Sequence, residues 1–235
     1  MINARKWFCH NYLVYLLLIL CQSSSADDDT LKVTNPDPTR FQNAIDIFIQ
    51  WDKKNTYPEN SVLFVGSSSI RFWDTRIFFP DYPVINRGFG GSHISDVNYF
   101  YQRTVSIYKP KIIVFYAGDN DIAYNKSEEQ VINDFKHFVY LVKTDLPECK
   151  IIYLPIKPSL DRWEFWERMK IVNTEVQKYC GSENMLYYVD TATPMLDKDT
   201  LPDSSLFIRD GLHLNKKGYR LWTDILLPVL DQLYH

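Results

Sequence analysis

Apolar residues alternate between two rhythms along this chain. Short unbroken runs stand at 61–65, 84–86, 112–116, 151–154 and 186–189. Such runs, lacking polar alternation, suit strands of a parallel sheet covered on both faces. Between them, apolar positions recur at helical spacing. Phe41, Ile45, Phe48 and Ile49 form one such set, with Thr39 as N-cap. Further helices are expected over 69–78, 94–108 (stopped by Pro110), 127–145, 162–179 (ending before Gly181) and 215–233. Ser127-Glu128-Glu129-Gln130 has the form of a capping box, in which hydroxyl and carboxamide satisfy each other's backbone N–H groups. Strands alternating with helices argue for right-handed βαβ crossovers and a three-layer α/β sandwich in one domain, residues 39–235.

The first 26 residues stand apart. Arg5 and Lys6 precede an apolar stretch over 12–20 that is too short to span a bilayer, and Ser23-Ser24-Ser25-Ala26 supplies small residues for cleavage after Ala26. Export to a secreted or periplasmic location is expected, with no stable membrane span afterwards. A lipid anchor on Cys21 is the lesser option, since bulky Leu20 precedes it. Acidic, proline-containing residues 27–38 read as a linker. Losing the signal removes two cations and no acids, taking the net charge from −3 to −5. With no basic block, nucleic acid is not an expected partner.

Of the four cysteines, Cys149 and Cys180 remain after cleavage. One precedes a strand and the other ends the following helix, so they are either a disulfide pair or two separate thiols. Asn125-Lys126-Ser127 is a glycosylation acceptor only in a eukaryotic secretory pathway.

Four separated segments carry polar chemistry, each following, or expected to follow, an apolar run. They are Val65-Gly66-Ser67-Ser68-Ser69, Gly88-Phe89-Gly90-Gly91, Gly118-Asp119-Asn120-Asp121 and Asp210-Gly211-Leu212-His213. Parallel strands would gather them at one sheet edge, where open α/β proteins hold ligands. Gly66 permits a positive-φ turn that presents Ser68 at a helix start, although serines there also serve as caps. Asp210 can hold the Nδ1–H of His213, leaving Nε2 to take a proton from a hydroxyl. The same spacing also fits a structural hydrogen bond or a metal pair. No third ligand stands out, because His93 and Asp96 have ordinary places at a helix N-terminus. Gly91 offers an unobstructed backbone N–H. Asn120 offers either an oxyanion donor or an Asx-turn. Trp163 and Trp166, three residues apart, together with Phe72, Trp73, Phe89 and Tyr116, either wall a substrate pocket or pack the core. The Gly-x-Ser-x-Gly elbow is absent, since Ile70 stands at its second Gly.

These motifs resemble those of the SGNH hydrolases, also called GDSL esterases or lipases, particularly the platelet-activating-factor acetylhydrolase-like branch. The likeness runs from residue 62 to the terminal helix. It implies a flavodoxin-like α/β/α sandwich on a parallel sheet of about five strands. It also implies Ser68 as nucleophile, His213 as general base and Asp210 as its orienting partner. The N–H groups of Ser68 and Gly91 and the Asn120 carboxamide would form the oxyanion hole, with no metal or cofactor. Two positions depart from the family pattern: Ser67, where Asp is usual, and Asp119, where Thr or another small polar residue is common. The expected activity is hydrolysis of short-chain esters, such as acetyl esters of carbohydrates or small lipids, through an acyl-enzyme. No long apolar lid of the triacylglycerol-lipase kind is present, which favours a small or soluble ester. The alternatives are an O-acyltransferase using the same triad and a non-catalytic binding module on the same scaffold. Oligomeric state is not legible.

Overall fold

Five strands form one parallel sheet: β1 Val62–Gly66, β2 Val84–Gly88, β3 Ile112–Tyr116, β4 Lys150–Tyr153 and β5 Leu186–Tyr188, in the order β2-β1-β3-β4-β5. This computed structural model describes residues 33–235. The expected export signal, Cys9 and Cys21 within it, and the start of the linker lie outside the described residues. The helices are α1 Gln42–Asp52, α2 Ser68–Arg71, α3 Thr75–Phe78, α4 Ile94–Tyr99, α5 Tyr101–Thr104, α6 Asp119–Ala123, α7 Glu128–Asp145, α8 Trp166–Gly181 and α9 Lys216–Tyr234.

β1 and β3 are buried at every residue, as their unbroken apolar runs require. Alternate side chains feed two cores. Leu63, Val65, Ile113, Phe115, Ile151 and Tyr153 meet α4, α5, α7 and α8 on one face. Val62, Phe64, Ile112, Val114, Tyr116 and Ile152 meet Ile70, Trp73, Phe78 and α9 on the other. The step from β1 to β2 runs opposite to all later steps along the sheet. Crossovers of one hand therefore put α2 and α3 on the opposite face from α4, α5, α7 and α8. The result is a flavodoxin-like three-layer sandwich, with its topological switch between β1 and β3.

α9 is anchored at both ends. Asn215 caps it, accepting from Lys217 N (2.8 Å) and Gly218 N (3.1 Å). At its far end Lys150 Nζ donates to Leu233 O (2.7 Å) and Lys111 Nζ to Tyr234 O, cations on the carbonyl end of the helix dipole.

Several local expectations change. Residues 69–78 form two short helices, because the Asn86 carboxamide donates to Ile70 O (2.8 Å) and Trp73 O (3.1 Å), carbonyls that a continuing helix would use. Residues 94–108 also break, at Phe100 and again at Val105; the Thr104 hydroxyl donates back to Phe100 O (3.0 Å), a contact that bends helices. Asp37, not Thr39, caps the first turn, accepting from Thr39 N (2.9 Å). Only half of the capping box forms. Ser127 accepts from Gln130 N, but the Gln130 carboxamide donates to Val33 O (2.9 Å) and Asn35 Oδ1 (3.2 Å). Cys149 and Cys180 are free thiols in one apolar core, and burial pushes both up to about 12. Neither is therefore a reactive thiolate at neutral pH.

Gly66 sits at φ +139°, and a Cβ there would lie 1.8 Å from Tyr116 O. Gly66→Ala should therefore cost at least about 4 kcal/mol, through backbone strain and a clash with a neighbouring strand. Gly181→Ala, with nothing within 4 Å of the new methyl, should stay within about 1 kcal/mol of the parent. Urea midpoints of the two variants check the contrast.

Candidate active site

Beyond the last residue of β1 the chain is still tied to β3, since Ser67 N donates to Tyr116 O (3.0 Å). Ser67 then takes extended backbone angles and α2 begins at Ser68. This puts Ser68 at the first position of a helix, where N–H groups have no intrahelical acceptor. Three serines compete on sequence grounds, and hydrogen bonding separates them. The hydroxyls of Ser67 and Ser69 are buried without a partner. Ser68 Oγ lies 2.9 Å from His213 Nε2.

His213 arrives from a loop pinned on both sides. Phe207 and Leu214 pair as an antiparallel bridge, and Ile208 N donates to His213 O (2.9 Å). Gly211 turns the loop at φ +68°. Asp210 Oδ2 lies 2.6 Å from His213 Nδ1, while its Oδ1 accepts from the backbone N–H groups of Leu212 and His213 (both 2.9 Å). Partial desolvation raises the Asp210 carboxyl, but the hydrogen bonds from His213 and Leu212 outweigh it and hold the group down at about 2. Asp210 is thus an anion throughout the neutral range. It can fix the imidazole with Nδ1 protonated and Nε2 facing the serine.

The 90–92 turn closes the other side. A methyl on Gly90 would lie 3.6 Å from Ser68 Cβ, so this backbone abuts the serine. Gly91, at φ +82°, is exposed, and among the described residues its N–H has no acceptor. Asn120 opens the turn after β3. Its Nδ2 donates to Ser92 O (3.0 Å) and its Oδ1 accepts from Arg162 Nη2 (3.0 Å). A carboxamide nitrogen carries two hydrogens, so one N–H of Asn120 is left over. Ser68, His213, Asp210, Gly91 and Asn120 thus occupy one edge of the sheet, at its switch point.

Buried charge surrounds this edge. Asp119 faces Lys157 Nζ (3.6 Å) and Arg162 Nη1 (3.3 Å). Burial lowers the Lys157 ammonium, an effect that Asp119 opposes. Asp121 pairs with Lys126 (2.8 Å) and accepts from Ile94 N; burial outweighs the lysine and lifts its carboxyl to about 6. His93 is depressed to about 4 by burial and by Lys126 and Arg40, so it is neutral near pH 7, and its ring meets Tyr124 edge-on at 5.1 Å.

The aromatic residues that could wall a pocket or pack the core take different places. Tyr116 packs on Trp222 and Phe89 lies between Phe41 and Phe100, both withdrawn into the cores. Tyr116, the last residue of β3, points off a sheet face by its register, and Phe89, just past β2, is taken up by the core on the other face. Trp166 is buried against the core, with Trp163 half-buried and stacked on it (centroids 6.0 Å apart). What does border the imidazole is an apolar groove of about 560 Å³, lined by Phe72, Ile77, Phe78, Ile208, Leu214 and Tyr219. Phe72 meets the His213 ring edge-on at 5.1 Å. Of the aromatics that the sequence leaves open between pocket and core, Phe72 is the one that borders the imidazole, while Trp73 beside it is core. Sequence patterning misses Arg162 and Lys157; the available signals were the charge inside Pro155-Ile156-Lys157-Pro158 and the unusual Asp119.

Known proteins resemble this chain in sequence and in fold. Residues 73–221 match the family model described as GDSL-like Lipase/Acylhydrolase. The chain is 27% identical over 173 residues to the human isoamyl acetate-hydrolyzing esterase 1 homolog, covering 63% of this chain and 68% of that protein. It is 30% identical over 105 residues to the rat platelet-activating factor acetylhydrolase IB subunit alpha2, covering 43% and 45%, so it spans less than half of that relative. A crystal structure of a GDSL-like lipase from Bacteroides thetaiotaomicron superposes with a TM-score of 0.70 at 20% identity, over 80% of this chain and 97% of that one, a likeness of fold. The chain belongs to the GDSL-like lipase/acylhydrolase family, a family of carboxylic ester hydrolases.

Proposed function

We propose that the protein hydrolyses short-chain carboxylic esters through an acyl-enzyme on Ser68. The observation that carries this reading is the unbroken line from Ser68 Oγ through His213 to Asp210, at 2.9 and 2.6 Å. His213 Nε2 takes the Ser68 proton as Oγ attacks the ester carbonyl, and Asp210 stabilises the imidazolium. The oxyanion is met by the N–H groups of Ser68 and Gly91 and by the remaining N–H of Asn120. The imidazolium then protonates the departing alcohol, and water repeats the sequence to release the acid.

Because His213 must reach the leaving oxygen, the alcohol leaves on the imidazole side. There the groove beneath Phe72 and Ile208 offers apolar wall, which suits the alkyl part of a small ester better than a sugar. The acyl portion lies opposite, towards the 90–92 backbone. Two of the relatives are named for acetyl esters, in keeping with this reading. Residues 1–26 are proposed to direct export.

Fluorophosphonate labelling followed by peptide mass spectrometry should place the adduct on Ser68. Ser68→Ala should lower para-nitrophenyl acetate turnover by at least roughly 10³-fold. Turnover surviving in that variant rules the reading out, and acyl transfer to an added sugar at the expense of free acid would make the protein a transferase.

Asp210 sets an acid-side signature. Its carboxyl titrates at about 2 when folded and at roughly 3.9 when unfolded, so its stabilisation is complete above pH ~4 and lost as pH falls towards 2. Asp210→Asn should erase that part of the loss, measured as the wild-type-minus-variant unfolding midpoint at pH 5 and at pH 2. The effect should be small, because the side chain is 42% exposed. The same substitution should cut kcat by roughly 10⁴-fold at neutral pH.

Secreted protein from the native host should begin at Asp27. Intact Met1 on exported protein would refute the assigned signal.

A further inference from the structure

We infer that Arg162 is a positioning residue for the reaction, holding the Asn120 carboxamide so that its spare N–H faces the oxyanion. This rests on the proposed role of Asn120 as an oxyanion donor.

A carboxamide can sit in either of two orientations related by a flip, and its neighbours decide which. Here the donor end faces the Ser92 carbonyl and the acceptor end faces Arg162 Nη2, each at 3.0 Å. Flipping it would set oxygen against the Ser92 carbonyl and NH₂ against the guanidinium, losing both bonds and opposing like dipoles. The side chain of Arg162 is 16% exposed and can act on Asn120 only if it is itself held. Asp119 does this from within the same turn, with Oδ2 3.3 Å from Arg162 Nη1. The carboxylate is 3% exposed and is shared with Lys157, which is 1% exposed, so its one negative charge is divided between two cations. The guanidinium is therefore only partly neutralised by its carboxylate, and it draws electron density towards Asn120 Oδ1 and strengthens the opposite N–H as a donor. Asp119 and Asn120 are consecutive, so one turn after β3 carries both the donor and the carboxylate that holds its orienter.

The test is a double-mutant cycle on the full chain, using Arg162→Met, Asn120→Ala and the pair, with para-nitrophenyl acetate as substrate. Arg162→Met should lower kcat roughly 10- to 100-fold with KM little changed, against about 10²–10³-fold for Asn120→Ala. In the Asn120→Ala background it should cost less than about 2-fold, because its effect passes through the missing amide. Arg162→Lys, which restores one donor, should recover part of kcat. Equal losses in both backgrounds, or a rise in KM alone, would overturn the inference, the latter by making Arg162 a substrate contact. If Arg162→Met does not fold, the isosteric Asp119→Asn carries the same cycle. Should Asn120→Ala leave kcat intact, it is the oxyanion reading that fails, whatever Arg162 does.

Discussion

Past their last paired residues, β1 and β3 stay joined by the hydrogen bond from Ser67 N to Tyr116 O, and a glycine lets the two backbones come this close. The nucleophile turn and the Asn120 turn begin at those two strand ends. Their spacing is therefore inherited from the parallel ladder rather than from contacts between the turns. Parallel strands deliver their carboxyl ends to one edge, and the reversal of direction at β1 opens a crevice there. A shift in the β1–β3 pairing would move Ser68 relative to Asn120 by a whole residue. That is why the packing of Val62, Phe64, Ile112 and Val114 on α9 bears on chemistry as well as stability.

The imidazole reaches this edge by a different route. Its loop belongs to no strand of the sheet and is fastened by one antiparallel bridge and by Asn215, whose Nδ2 donates to Ser205 O and Phe207 O while Oδ1 caps α9. One carboxamide thus couples the position of His213 to the seating of α9 on the core. The three-residue spacing of Asp210 and His213 does the rest locally, because the aspartate binds the loop's own N–H groups as well as the ring.

The charges around the site are costly to bury. Asp121 with Lys126 and Asp119 with Lys157 and Arg162 contribute little net stability compared with apolar replacements, since desolvation offsets most of the attraction. What they supply is orientation. Asp121 ties the start of α4 to the turn after β3 through Ile94 N, and Asp119 ties that turn to the segment after β4. Three loops from three strands are thereby held in one arrangement around Ser68.

Periodicity and turn residues alone determined the five strands and the long helices, the parallel sheet, the edge at which the polar segments gather, and that Asp210 is within reach of His213. All of these are written in local spacing: unbroken apolar runs, glycine at a forced turn, an acid three residues before a histidine. Local spacing does not separate the three adjacent serines; the family resemblance pointed to Ser68, and tertiary structure brings it to the imidazole of a loop 145 residues away. Tertiary structure also decided that Tyr116, Phe89 and Trp166 serve the cores while Phe72 borders the site. Aromatic residues have the same composition signal in either place, and only the direction a ring leaves the sheet or turn distinguishes them. The Asp119–Lys157–Arg162 cluster left only isolated signals in the sequence, since its members come from loops after two different strands and acquire meaning only when β3 and β4 lie side by side.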